Sequence, residues 1–171
     1  SYEIAVQLLG FTDSALLDEA IDAIAARDGA TLYKTVDQVM ESGHDPRRFT
    51  ADLLERLRDL MIVNAFGDGD PNSVLRDLPD DQLDRMRSQA KHIGSGGLSY
   101  AADIVAEGLT QMRGATAPRL MLELICARIL LPSSSDAALL ARVEKLERAE
   151  GLVVPSAPKK SPNEMGGAEP K

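Results

Sequence analysis

Two histidines, one cysteine and a short glycine cluster are the residues of this chain whose types invite chemistry. A protein-held transition metal needs several His, Cys or carboxylate ligands at close, recognisable spacing. His44 and His92 stand far apart, with no HExxH and no second cysteine, so a metal site is not expected. A phosphate-cradling loop needs G-x-x-x-x-G-K-[ST] between a strand and a helix. Gly94-Ser95-Gly96-Gly97 lacks the lysine and falls between two helical patterns, which reads as an interhelical turn. A nucleophilic thiol wants exposure and a nearby base; Cys126 sits in an apolar run, where a buried thiol is the default. As the single cysteine it excludes an internal disulfide and suits a reducing cytosol. The charged groups around Glu55 and Asp59, and the run Glu144-Lys145-Glu147-Arg148, read as solvated helix faces. No catalytic set and no cofactor-binding set emerges.

The elements that would position any site are helices. Of 171 residues 44% are hydrophobic but only 4% aromatic, with no Trp, a balance that favours Leu/Ile/Val/Ala packing between helices. Apolar spacing of three and four recurs along the chain. Leu16, Leu17, Ala20, Ile21 and Ile24 mark a first helix, opened by Thr12-Asp13-Ser14 and closed near Asp28-Gly29. Leu32, Val36, Val39 and Met40 mark a second, stopped at Gly43. Asp45-Pro46 reads as an N-cap and first-turn proline for a third carrying Phe49, Leu53, Leu57, Leu60, Met61 and Asn64. After an acidic turn-rich loop at 67–78, a fourth helix carries Leu83, Met86, Ala90 and Ile93, and a fifth Leu98, Ala102, Val105, Leu109 and Met112. A sixth spans 117–132, and a seventh from Ser135-Asp136 carries Leu139, Leu140, Val143 and Leu146. From Gly151 onward the Pro/Gly/Ser/Lys-rich stretch is expected to be a disordered tail, most clearly after Pro155. The expected fold is an all-α bundle of six to seven helices.

Charge narrows the partners. The formal net charge is −8, and without the tail 16 basic and 25 acidic residues remain, a body of −9. Such a body is a poor general binder of phosphate backbones, so little direct DNA binding is expected. No apolar run approaches the roughly 18 residues of a membrane span, and no N-terminal signal pattern occurs. The chain opens at Ser1-Tyr2-Glu3 without Met, which reads as a piece of a longer protein.

The sixth helical stretch, "APRLMLELICARILLP" (117–132), carries eleven Ala, Met, Leu, Ile or Cys residues. At about 100° per residue, Arg119 and Glu123 fall together and Arg128 roughly opposite, so two narrow polar strips divide two wide apolar faces. One face can pack on its own bundle. The other needs either neighbouring helices of the same domain, as in a central bundle helix, or a partner chain.

The order of landmarks carries a resemblance. "LLGFTD" (8–13), a two-helix unit ending in "GHDPRRFTADLLERLRDLMI" (43–62), "MRGATAPRLMLELICARILL" (112–131) and "ALLARVEKLE" (138–147) follow in series. This order resembles the collar domain of the gamma/tau subunit of the bacterial DNA polymerase III clamp loader, in an actinobacterial spelling, over about residues 5–150. The resemblance implies the end of a linker from a preceding ATPase module at 1–9, a helical collar at 10–150, and the start of a flexible extension at 151–171. It implies partners: other gamma/tau copies and the delta and delta-prime subunits, with the extension leading toward polymerase- and helicase-binding regions. ATP, Mg and Zn would belong to the absent N-terminal module, and the location would be the bacterial cytoplasm at the nucleoid-associated replisome. Five collars packing as a ring would hold the loader that places the sliding clamp on primed DNA. Candidate interface residues on that reading are Arg58, Arg119, Glu123 and Arg128. The competing readings are a free-standing helical adaptor binding one partner helix-in-groove and a small helical enzyme; the latter lacks a site.

Overall fold

A computed structural model of the chain describes residues 12–114, 117–132 and 136–151. Of these residues 82% are helical, and no strand occurs among them. The all-α expectation therefore holds. The described helices are α1 (Asp13–Ala26), α2 (Gly29–Glu41), α3 (Pro46–Phe66), α4 (Asp80–Gln111), α5 (Pro118–Leu130) and α6 (Asp136–Glu150), with a 3-10 turn at Pro71–Ser73. The expected linker at 1–9, and the expected tail beyond Gly151, lie outside the described residues.

Local chemistry sets the boundaries. The Thr12 hydroxyl accepts from the Ala15 N–H at 3.2 Å, and the Asp45 carboxylate accepts from the Arg47 N–H at 3.1 Å ahead of Pro46. Each satisfies a donor that the first helical turn leaves orphaned. The first helix closes near Asp28-Gly29 as expected, with the Asp28 N–H donating to the Ala23 carbonyl at 2.9 Å. Arg27 takes the left-handed position (φ 54°) that ends α1, while Asp28 opens α2 by accepting from the Thr31 N–H (3.1 Å) and hydroxyl (2.6 Å). Those bonds from Thr31 hold the Asp28 carboxyl below its ordinary value.

The fourth and fifth expected helices follow one another across a kink within α4, at the glycine cluster read as an interhelical turn. α4 runs through "GSGG" and bends at Gly94, whose backbone (φ 79°, ψ 162°) is a conformation open essentially only to glycine. Asn64 of α3 donates to the Ser95 hydroxyl at 2.8 Å beside the bend. The 67–78 loop, which has no landmark in the resemblance, is pegged to the body by buried Pro71 and Leu75. Arg87 of α4 donates to the Gly69 carbonyl at 2.9 Å.

The α3–α4 pair forms the spine, with α1, α2 and α5 packed around it. Leu16, Ile21, Leu32, Leu53, Leu57, Leu60, Met86, Leu98, Leu122 and Ile125 fill the core, each contributing about 1.5–3 kcal/mol by burial. Met61 lies outside the core, exposed on α3, and Ala102 and Leu109 are only half-buried. A polar cluster threads the spine: Asp18 and Asp22 of α1 meet Arg56 of α3 and Arg85 and Gln89 of α4. Arg56 bonds to buried Asp18. Arg85 Nη2 and Gln89 Nε2 each lie 2.7 Å from Asp22 oxygens.

Candidate interaction surface

α5 is the helix whose second face needed an owner. Pro118 in its first turn has no N–H to orphan, and Leu131 ends it in an extended conformation before Pro132. Leu122, Ile125, Cys126 and Ile129 turn inward and are buried, against α2, α3 and α4. The approach to α4 is close. A Cβ placed on Gly108 would stand 2.4 Å from both Ile125 Cγ1 and Cδ1, so only glycine admits this helix here. The last carbonyls of α5 are satisfied from two directions. Arg27 donates to the Leu130 carbonyl at 2.6 Å, and the Tyr100 hydroxyl donates to the Arg128 carbonyl at 3.1 Å.

The opposite side of α5 is apolar and open. Leu120, Leu124 and Leu131 are 54%, 48% and 59% exposed, and they share one stripe with half-buried Ala127. Ion pairs wall both edges. On one, Arg119 Nε lies 3.0 Å from Glu123 Oε1, and the same guanidinium reaches Asp37 of α2. On the other, Arg128 Nη2 lies 3.8 Å from Glu107 Oε1 of α4. Pairs this exposed contribute about 0–1 kcal/mol each, so they position side chains more than they stabilise the fold. A groove of about 220 Å³ between Gln111, Met121, Leu124, Ile125 and Arg128 continues the open face toward the end of α4.

The structure thus brings Arg119, Glu123 and Arg128 to the borders of one surface. Arg58 belongs elsewhere. Its Nη2 lies 2.8 Å from Asp59 and 3.5 Å from Glu55, both on its own helix α3. A second open stripe lies on α6: of the apolar residues read there from the sequence, Leu139, Val143 and Leu146 are exposed. α6 packs chiefly against α4. Its side-chain surroundings at 136–138, 140 and 141, including Leu140 of that stripe, lie outside the described residues.

The residues that first invited chemistry are placed away from any arranged site. His44 Nδ1 lies 2.6 Å from Asp13, and His92 is exposed on α4. Among the described residues no group of three His, Cys, Asp or Glu could hold a metal ion. Burial, reinforced by the Glu123 charge, pushes the Cys126 thiol up to about 12, which keeps it protonated and inert at neutral pH. Among the described residues no helix is long and apolar enough to cross a membrane.

Comparison with known proteins agrees with this architecture. Residues 1–142 match the family described as DNA polymerase III subunits gamma and tau domain III. The chain is 51% identical over 174 aligned residues to the DNA polymerase III subunit gamma/tau of Mycobacterium bovis. The same subunit from two Mycobacterium tuberculosis strains matches equally. The alignment covers 100% of this chain and 30% of each relative, so the chain spans about a third of their length. No solved structure matches at a comparable level. The helical order, the Asp-Pro opening of α3 and the Pro-Arg opening of α5 all fall within the matched span, and the chain belongs to the DNA polymerase III gamma/tau family.

Proposed function

We propose that this domain is the collar of a clamp-loader subunit, joining copies of gamma/tau to one another and to delta and delta-prime. The observation that carries the reading is the outer face of α5: leucines left open on a helix whose inner face is already fully packed. Single exposed leucines are ordinary, but an aligned row walled by ion pairs is the form of an interface centre with a polar rim. ATP turnover, with its magnesium, and the zinc module belong on this reading to other parts of the subunit. The collar contributes geometry: it holds the ATPase modules at fixed spacing so that they open the sliding clamp in the bacterial cytoplasm. The adaptor reading would place one partner helix in the groove at Gln111, Met121 and Leu124.

The test is molar mass. The chain, alone and mixed with delta and delta-prime, is run by sedimentation across micromolar concentrations. Assembly is expected, and Leu124→Asp should weaken it at least about 30-fold by placing a charge where about 2 kcal/mol or more of apolar contact is made. The melting temperature should stay unchanged, because Leu124 is open to solvent. A chain that stays monomeric and ignores both subunits sinks the proposal.

A further inference from the structure

Resting on that reading, we infer that the occupant of the α5 outer face is helix α6 of a second copy of this chain, laid antiparallel. The chain carries two open apolar stripes, and they match. On α5 the row is Leu120, Leu124, Ala127; on α6 it is Leu139, Val143, Leu146, all three of the latter exposed. Antiparallel alignment pairs Leu120 with Leu146, Leu124 with Val143 and Ala127 with Leu139, every pair within one residue of the same register. The charges agree with that direction and oppose the other. Asp37, Arg119 and Glu123 sum to one negative charge on one edge of the α5 face. Helical rotation at 100° per residue brings Arg142 of an antiparallel α6 to that same edge, level with Glu123. A parallel α6 would instead carry Arg142 to the opposite edge, the side of Arg128 and away from Glu123.

The helix comes from a neighbour because the chain leaves α5 pointing away from it. Leu131 is extended (ψ 145°) and precedes Pro132, which disfavours the helical or turned conformations that a tight helical hairpin would require of the preceding residue. In the structure α6 rests on α4, with its stripe open. Each copy therefore offers one face and one filler. Such a contact is heterologous, head to tail, and closes into a ring when the rotation permits. One interface repeated serves every gamma/tau copy in the assembly.

Cysteine pairing tests this on the full chain. Leu120→Cys and Leu146→Cys are placed on separate chains, mixed and mildly oxidised; both sites are more than half exposed, so the variants should fold. Disulfide-linked dimers are expected, with the buried Cys126 contributing little background. A chain ending at Pro132 should lose self-association at least about a hundredfold, since three large apolar side chains go, with its melting temperature kept. Arg142→Glu should weaken association about two- to fivefold. If a chain carrying both Leu120→Cys and Leu146→Cys forms only an internal disulfide, α6 covers its own α5 and the inference is overturned. It is also overturned, with the collar reading intact, if the shortened chain associates as well as the full one. The same holds if the chain binds delta subunits but never itself. A full chain that is monomeric and binds neither overturns both.

Discussion

Adding one methyl group at Gly108 sets two opposed effects against each other. Helix propensity favours Ala over Gly in a helix interior by about 0.8–1.0 kcal/mol. Packing opposes it, because the new Cβ would stand 2.4 Å from both Ile125 Cγ1 and Cδ1, well inside the roughly 3.5–4.0 Å of ordinary carbon contact. Ile125 is 1% exposed, so its side chain must turn aside within the core or carry α5 outward. Overpacking of this kind costs about 1–3 kcal/mol, and two simultaneous contacts place the cost in the upper half. Packing wins, with a net loss of about 1–2 kcal/mol and a melting temperature lower by about 2–8 °C for a chain of this size. Gly96→Ala supplies the control. It lies in the same helix with nothing within 4 Å of its added Cβ, so propensity acts alone and the melting temperature should rise. The assay is calorimetry or CD melting of both variants and of Gly108→Ala combined with Ile125→Ala, which removes both obstructing atoms. The combination should be less destabilising than the sum of its parts, by about 1 kcal/mol or more. Gly108→Ala as stable as Gly96→Ala would refute the close approach of α4 and α5.

Asp18→Ala should cost about 3–5 kcal/mol by urea unfolding, because it leaves the Arg56 guanidinium nearly buried without its partner; Arg58→Ala, on an exposed pair, should stay within about 0.5 kcal/mol. Cys126 should resist iodoacetamide at pH 8 until the chain unfolds. Its folded value of about 12 exceeds the ordinary thiol value of 9.0, so between those pH values the unfolded state releases a proton that the folded state keeps. Its contribution to stability therefore falls as pH rises, by up to about 1.4 kcal/mol per unit, and Cys126→Ala should flatten that slope. With 25 acidic against 16 basic residues before the tail, duplex DNA affinity at physiological salt should be no tighter than micromolar by fluorescence anisotropy.

What was legible in the sequence is what periodicity and caps encode. The Thr12 and Asp45 caps, the inward leucines of α3 and the two-faced character of 117–132 all depend on residues within a few positions of one another. What stayed hidden shares a cause: it required knowledge of a distant neighbour. The break at Gly94 was legible from the glycine cluster; that Asn64 of α3 bonds beside it was not. The cluster of Asp18, Asp22, Arg56, Arg85 and Gln89 drew no notice in the sequence because nothing local couples α1 to α4. The α6 stripe has the spacing of a packed helix, yet in the structure it faces outward; amphipathicity states that a face wants cover and says nothing of whose. Arg58 stands apart from Arg119, Glu123 and Arg128 in the fold, a separation that no local spacing reveals.

The bonds that fasten α5 reach far back along the chain: Arg27 to the Leu130 carbonyl across 103 positions, Tyr33 toward Glu123 across 90, Arg119 to Asp37 across 82. During synthesis at about 5–20 residues per second, α1 and α2 emerge roughly 5–20 seconds before the helix that covers them. For that interval the pocket for Leu122, Ile125 and Ile129 is open, and it is a hydrophobic surface on a nascent chain still tethered to its ribosome. α5 closes that pocket and in the same event displays its own outer leucines. On the proposed reading, the surface for assembly is therefore created only when the vulnerable one is removed, and a half-made domain would lack that face with which to recruit a neighbour.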